Sequence, residues 1–558
     1  MILKSITIKD FKAIRGELSI EFSSDINLYL FVGKNSSGKS TILEAIRLAC
    51  LRSPANIRAE FFNYRPKKAY KLRSTKGIYD PLSSWRPGVL ESDFEALLRS
   101  YDNQRLEELA RVVSSMVSLN LELVKTNQYE ITVRIDGERI LPQELSSGIQ
   151  AILTIEAMLN YPRVSEDDPV IFLIEEPEAF LHPNLLRTYA RKFLSFAENR
   201  KNTQLFISTH SPMLLSFVEP RQVIRIEQGK AYYIKDEDFG GWHMMSDPAK
   251  AEIFFADRVI MLEGYTDKLV FSGLLEEANI GPEEKNVSMI YIDGVYNREM
   301  ITRICEAFEI KNLFIGDKDQ EKHKKRGGSR EDLSFEVLLP YGEMEDCIPL
   351  SDWAMALEKD FINFLLNLLP GDKDKEGKAY GKNKVRYALK LRDYFVKNPI
   401  HKNHPLYPLR KIMEEFIVYG NFTQANFPEK ANLLEELKDS ILIFIQRDLK
   451  GDLDASDICI EEEKIAGIFF DKSLYERLSQ LLVKLIEKGI AFYVVVDLSY
   501  NFKVIKRLIN KEGVEFDESD HWLKIKYNKT KSIICKMQRG LEKTDIEDIL
   551  NLRPLSKN

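Results

Sequence analysis

The octet Gly33-Lys-Asn-Ser-Ser-Gly-Lys-Ser40 restricts what this chain can fold into more than any other stretch. It matches G-x-x-x-x-G-K-[ST], and its flanks fit the same local structure. Leu28-Tyr-Leu-Phe-Val32 reads as a buried strand and Ile42-Leu-Glu-Ala-Ile-Arg-Leu-Ala-Cys50 as a helix. A glycine-rich turn between strand and helix lets the backbone close around a polyphosphate, with successive N–H groups pointing inward at the helix N-terminus. Lys39 would reach the terminal phosphates and Ser40 would hold Mg²⁺. Gly33, Asn35, Ser36, Gly38, Lys39, Ser40 and Thr41 are therefore the expected cradle of a nucleoside triphosphate.

A chain of 558 residues has room for two or three domains. Hydrophobic residues at 44% and charged residues at 30% are ordinary for a water-soluble protein. The formal net charge of −6 means that a surface for nucleic acid has to be a local patch. Cys50, Cys305, Cys347, Cys459 and Cys535 are far apart and form no C-x-x-C pair, which argues against a disulfide framework or a structural zinc site. The N-terminus alternates like a strand and lacks a signal-peptide plan, and no apolar run reaches membrane-spanning length. A cytoplasmic location is expected, without membrane association.

Three later stretches complete the first site. In Leu145-Ser-Ser-Gly-Ile-Gln150, small residues opening a helix can present N–H groups to a γ-phosphate, which nominates Ser146, Ser147 and Gly148. Val170-Ile-Phe-Leu-Ile-Glu-Glu-Pro-Glu178 is an apolar strand running into carboxylates. Glu175 is the candidate Mg²⁺ ligand there, and Glu176 the candidate for activating water. Leu205-Phe-Ile-Ser-Thr-His-Ser-Pro212 delivers His210 at the end of another strand, as a γ-phosphate sensor. A hairpin around Asp10–Gly16 is placed to offer Phe11 or Arg15 to a nucleobase, while residues 51 to about 110 read as an irregular, basic and aromatic insertion.

This order of motifs resembles the ABC-type ATPase heads of the SMC, RecF and OLD (overcoming-lysogenization-defect) families over about residues 1 to 235. Glu176-Pro-Glu-Ala-Phe-Leu-His-Pro183 looks like the corresponding loop of the OLD branch. The resemblance implies ATP as the nucleotide. It also implies a homodimer or higher homo-oligomer, because each nucleotide in such heads lies between one subunit's phosphate loop and another's signature.

A second site is made of acids. Arg258-Val-Ile-Met-Leu-Glu-Gly-Tyr-Thr-Asp267, Val287-Ser-Met-Ile-Tyr-Ile-Asp-Gly294 and Lys311-Asn-Leu-Phe-Ile-Gly-Asp-Lys-Asp319 alternate with helices, which implies a parallel sheet with carboxylates gathered on one edge. Oxygen ligands of that kind suit Mg²⁺ or Mn²⁺. The order E-G-x-x-D, glycine turn, D-x-D resembles the Toprim fold of OLD-family nucleases. That resemblance implies Glu263, Asp267, Asp317 and Asp319 as metal ligands, with Glu345 (preferred over Glu343) as a further acid. It also implies a catalytic lysine, for which Lys384 is chosen over Lys382 and the lysines between Lys524 and Lys531. Two metals about 4 Å apart can activate water and stabilise the leaving oxygen of a phosphodiester. The basic stretch Lys322–Arg330 can hold a phosphate backbone or simply be a solvated loop.

The expected fold is α/β: an ATPase domain over residues 1–245, a Toprim domain over 246–350, a helical segment over 351–428 and a small α/β region over 429–558. Amphipathic helices are expected at Leu433 to Gln446 and Leu474 to Lys488, and strands at Ile490–Asp497 and Gly513–Phe516. The resemblance implies an ATP-controlled, metal-dependent DNA endonuclease similar to antiphage effectors of the Gabija type, with a second defence protein as a further partner. Its rivals are a RecF- or SMC-like repair ATPase without cleavage and a Toprim ribonuclease acting on tRNA.

Overall fold

The computed structural model describes residues 2–51, 55–62, 68–73, 77–79, 98–99, 101–126, 131–160, 169–200, 202–235, 246–293, 295–317, 332–339, 344–357, 360–368, 383–423 and six strands between 441 and 538. The chain divides into two compact units. One comprises Met1–Val259, Tyr296–Asn312 and Ser329–Ser334, the other Ile260–Val295, Leu313–Gly328 and Phe335–Asn558.

The first unit is built on a seven-stranded sheet in the order Lys230–Tyr232, Val223–Glu227, Leu28–Val32, Thr203–Ser208, Val170–Glu175, Lys68–Arg73 and Gly77–Tyr79. The five inner strands are parallel and only the two edges are antiparallel. Every residue of Leu28–Val32 and of Thr203–Ser208 is buried, as expected for parallel strands covered on both faces. Helix Lys39–Leu51 lays Ile42, Leu43, Ala45, Ile46 and Ala49 on the sheet's core, against Phe31 and Phe206. Because Thr203–Ser208 lies between Leu28–Val32 and Val170–Glu175, the residues following all three strands emerge side by side at one sheet edge.

A three-stranded antiparallel sheet, Ile14–Glu21, Leu3–Phe11 and Ile57–Phe61, shares that core. Gln204, fully buried, ties it to the main sheet by accepting from Leu3 N (2.6 Å) and donating to Leu3 O (3.2 Å). The described parts of residues 51 to 110 are thus less irregular than their composition suggests. Ile57–Phe61 alternates buried and outward residues at period two, and Lys68–Arg73 pairs in register with Val170–Glu175. Basic side chains on such strands obscured a pairing that is made by the backbone.

In the region of the acidic motifs the strand order is Val287–Tyr291, Arg258–Leu262, Lys311–Gly316 and Ser334–Leu338. Helix Tyr265–Glu277 follows the strand ending at Leu262 and packs on helix Lys384–Lys397. Arg392 there reaches Glu276 at 3.0 Å, and a Cβ on Gly273 would fall 2.7 Å from Arg392 O. Helices Leu350–Leu357, Phe361–Leu368, Lys384–Lys397 and Tyr407–Tyr419 make up the helical segment.

The C-terminal region contains a six-stranded sheet, ordered Ile465–Phe469, Ile441–Gln446, Phe492–Asp497, Lys531–Gln538, Trp522–Tyr527 and Val514–Glu518. Its first four strands are parallel and the last two antiparallel. Of the expected helix Leu433–Gln446, residues Ile441–Gln446 form a strand instead, and 433–440 lie outside the described residues. A short apolar run such as Ile441-Leu-Ile-Phe-Ile445 has no periodicity to separate buried strand from helix, and the β-branched residues decide it. The expected helix Leu474–Lys488 lies outside the described residues. Among the described residues no helix is long and apolar enough to cross a membrane.

Candidate functional site

The phosphate loop takes the conformation that its glycines permit. Gly33 has φ +139°, and a Cβ there would stand 2.2 Å from Ile226 O; at Gly38 (φ +106°) it would stand 2.8 Å from Ile14 Cδ1. Ser36, between them, is also left-handed at φ 64°. Lys39 is 5% exposed, and its ammonium donates to Gly33 O and Lys34 O, both at 2.9 Å. Burial pulls its pKa down to about 8, with Glu176 and Glu178 opposing the shift. Asn35 and Ser36 are exposed at the loop's outer face, Ser40 is exposed at the helix start, and Thr41 is buried.

The strand ends meet as the topology requires. Thr209 N donates to Phe31 O (3.1 Å) and Glu176 N to Ser208 O (2.9 Å). Glu175 is half-buried at the end of its strand. Glu176 sits in left-handed backbone at φ 45°, which aims its carboxylate at His210 Nε2, 3.5 Å away. Burial and the Lys39 charge hold the His210 pKa below its ordinary value, against Glu176.

Glu178 joins the site although the sequence pattern assigns it no role. Its Oε1 accepts from His210 N (2.6 Å) and Thr209 Oγ1 (2.8 Å), and burial raises its pKa. Its Oε2, like Ser37 Oγ, is buried without a hydrogen-bond partner. The fourth position of E-E-P-E is the signal that points to it. Unsatisfied buried oxygens beside a buried lysine of lowered pKa fit a bound phosphate chain with its cation.

A cavity of about 380 Å³ adjoins the loop, lined by Ala13, Arg15, Lys34, Asn35, Ser36, Ser37 and Glu227–Gly229. Arg15 is therefore the hairpin residue on the nucleotide side, whereas Phe11 packs on the core. Glu227, Gln228 and Gly229 belong to a hairpin some 190 residues from the loop, so no local pattern could nominate them. Ser146 caps helix Ser147–Leu159 by accepting from Ile149 N (3.4 Å), and Ser146 and Ser147 are exposed, with Gly148 half-exposed.

At the second site, Glu263 and Asp317 come together. The strands Arg258–Leu262 and Lys311–Gly316 are neighbours, and Glu263 Oε2 accepts from Asp317 N at 3.1 Å. Both acids are half-buried. Asp267 is 9% exposed, and its Oδ2 accepts from Gly264 N (2.9 Å), which caps the helix Tyr265–Glu277. Asp293, exposed in left-handed backbone at φ 51°, follows Ile292, whose N–H donates to Leu262 O (2.9 Å); it is a further acid of the same edge, outside the motif.

Glu345 lies in the short helix Met344–Cys347, and Lys384 opens helix Lys384–Lys397, half-buried. Asp319, Glu343, Lys382 and the basic stretch Lys322–Arg330 lie outside the described residues. Among the described residues no three His, Cys, Asp or Glu side chains form a metal-holding group. The Glu263–Asp317 pair nonetheless fits a hard cation, since it offers only carboxylate oxygens on adjacent strand ends.

Two family profiles match stretches of this chain. A family profile described as AAA ATPase domain matches residues 1–79 and 86–215, and one described as the overcoming lysogenization defect protein-like TOPRIM domain matches residues 254–319. The chain joins an AAA ATPase domain to an OLD-like TOPRIM domain. The ATPase domain thus holds the phosphate loop, Glu175, Glu176 and His210, and the TOPRIM domain holds Glu263, Asp267, Asp317 and Asp319. Together they imply use of a nucleotide and of a divalent metal.

Similar proteins include an OLD nuclease from Thermus scotoductus, 25% identical over 199 residues covering 33% of this chain and 37% of that one. An endonuclease GajA from Bacillus cereus is 22% identical over 342 residues, 58% of each chain. The chain therefore matches between about a third and three-fifths of the length of these relatives. An SMC head bound to a ScpA winged-helix domain aligns over 42% of this chain and 97% of its own, at 13% identity and a TM-score of 0.28.

Proposed function

We propose that this protein is a nucleotide-controlled, divalent-metal-dependent DNA endonuclease that acts in antiphage defence and assembles at least as a homodimer through its ATPase domains. The observation that carries the reading is the Glu263–Asp317 juxtaposition inside a TOPRIM match. It is supported by relatives named as nucleases and endonucleases.

In this reading Glu263 and Asp317, with Asp319 and Glu345, hold Mg²⁺ or Mn²⁺, and Asp267 fixes the Glu263–Gly264 turn from beneath. When bound, the metal supplies charge stabilisation and a lowered pKa for water. Lys384 is the candidate to neutralise the phosphate. In the ATPase domain Lys39 and Ser40 hold ATP and its Mg²⁺. Glu175 orients the cation, Glu176 polarises the attacking water and His210 faces the γ-phosphate. Ser146, Ser147 and Gly148 complete the site of the neighbouring subunit.

Purified protein with Mn²⁺ or Mg²⁺ should nick plasmid DNA, and Asp317→Ala should abolish nicking while leaving ATP binding intact. Cleavage of tRNA in place of plasmid would move the substrate to RNA. Nicking that survives Asp317→Ala would refute the site.

A further inference from the structure

The nucleotide pocket and the two strands that end in the nuclease acids share one buried guanidinium. Arg225, on the strand Val223–Glu227, is 3% exposed. It donates to Ala256 O and Phe308 O, each at 3.0 Å. Ala256 lies two residues before the strand Arg258–Leu262, which runs into Glu263. Phe308 lies three residues before the strand Lys311–Gly316, which runs into Asp317. These are also the places where the chain passes from the first compact unit to the second, after Val259 and after Asn312. The rings of Phe254 and Phe308 meet edge to face at 5.0 Å, so the two strand roots are themselves cross-braced.

Three contacts connect this grip to the nucleotide site. Arg225 pairs with Glu227 at 2.5 Å, and Glu227 lines the cavity beside the phosphate loop. Asp257 lies 3.7 Å from Arg225 and forms a 2.6 Å ion pair with Lys34, the second residue of the loop. The His210 ring stacks on Phe255 at 6.4 Å. The segment Phe254–Asp257 is therefore touched both by the residue facing the γ-phosphate and by the loop that wraps the polyphosphate.

We infer that Lys34, Asp257 and Arg225, with the His210–Phe255 stack, are positioning residues through which nucleotide occupancy sets the roots of the strands carrying Glu263 and Asp317. The inference deepens the proposed function and rests on it for its consequence in cleavage. Its physical content lies in the ATPase unit alone. Polyphosphate competes with Asp257 for the Lys34 ammonium, and Asp257 then leans on Arg225, which cannot move without moving both Ala256 and Phe308. Arg225 holds Phe308 O and Ala256 O through Nη1 and Nη2, two donors fixed in one rigid plane, a fork that a rotatable ammonium lacks.

Hydrogen–deuterium exchange with and without a non-hydrolysable ATP analogue tests this independently of cleavage. In the wild type, amides of 256–263 and 308–317 should exchange about threefold or more slowly with analogue bound. In Asp257→Asn that difference should vanish while analogue affinity stays within about threefold. Arg225→Lys should also lose it, and circular dichroism separates this from unfolding. An Asp257→Asn protein that keeps the wild-type exchange difference overturns the inference, as does a wild type that binds analogue with no change in either segment. If the wild type cuts no nucleic acid yet shows the exchange difference and its loss in Asp257→Asn, the nuclease reading fails and the relay stands.

Discussion

The phosphate-loop site and the acidic strand-end site are built by opposite means. Around the loop, the fold buries Lys39, leaves Ser37 Oγ and Glu178 Oε2 unsatisfied, and presses Gly33 against Ile226 O. Those costs are met in advance by the surrounding core, so the loop is preorganised and its ligand relieves strain already present. At the strand ends, Glu263 and Asp317 remain half-exposed, with Asp317 N donating to Glu263 Oε2. That geometry sets two carboxylates side by side at adjacent strand ends, an arrangement that favours a hard cation. The first site is expensive to build and the second is expensive to load.

The sharpest way to break that contrast is to exchange the lesions. Asp317→Ala should lower metal-dependent plasmid nicking about a thousandfold or more and leave ATP-analogue affinity within about twofold, while Lys39→Ala should do the reverse to binding. Nicking kinetics and analogue titration on both variants would expose any shared dependence.

Preorganisation predicts a stability difference within the loop itself. Gly33→Ala meets backbone oxygen at 2.2 Å and a positive φ, and should cost about 3 kcal/mol or more in denaturant unfolding. Gly38→Ala also has a positive φ, but its close contact is the end of the Ile14 side chain at 2.8 Å and not backbone, and it should cost about half as much. Equal losses would mean that the loop, not its backing strand, is the rigid part.

The buried lysine also predicts a pH dependence. Its pKa in the folded protein, about 8, lies below the ordinary 10.5, and polyphosphate restores its charge. Below pH 8 the ammonium is already present and affinity is full. As pH rises above 8, binding must take up a proton, so affinity should fall by up to about tenfold per unit. A flat profile of analogue affinity from pH 7 to 9.5 would show that Lys39 stays charged in the free loop. The smallest effect is expected at the rim of the cavity: Arg15→Ala should weaken analogue binding about threefold to tenfold, read by the same titration.

Much of this was legible in order along the chain. Gly33–Thr41, Glu175–Glu176, His210 and Glu263 each end an apolar run, and a parallel sheet must bring such ends to one edge. The same rule pairs Glu263 with Asp317 once their strands are neighbours. What escaped was long-range or masked by composition. Lys68–Arg73 reads as a charged loop, yet its backbone extends the central sheet. Ile441–Gln446 lacks the periodicity to tell strand from helix. Glu178 became a partner of His210 only when two strands set their turns side by side.

The sequence by itself determined which residues could do chemistry and that they would lie at strand ends, because phosphate binding and metal binding each demand particular atoms next to particular backbone shapes. Only the tertiary structure decided that Glu227 and Arg15 share a cavity with the phosphate loop. It alone put Arg225 on Ala256 O and Phe308 O, some 31 and 83 residues away. Contacts across such separations follow from the order in which strands stack and from the burial of one guanidinium among carbonyls, and no local pattern in the chain records either.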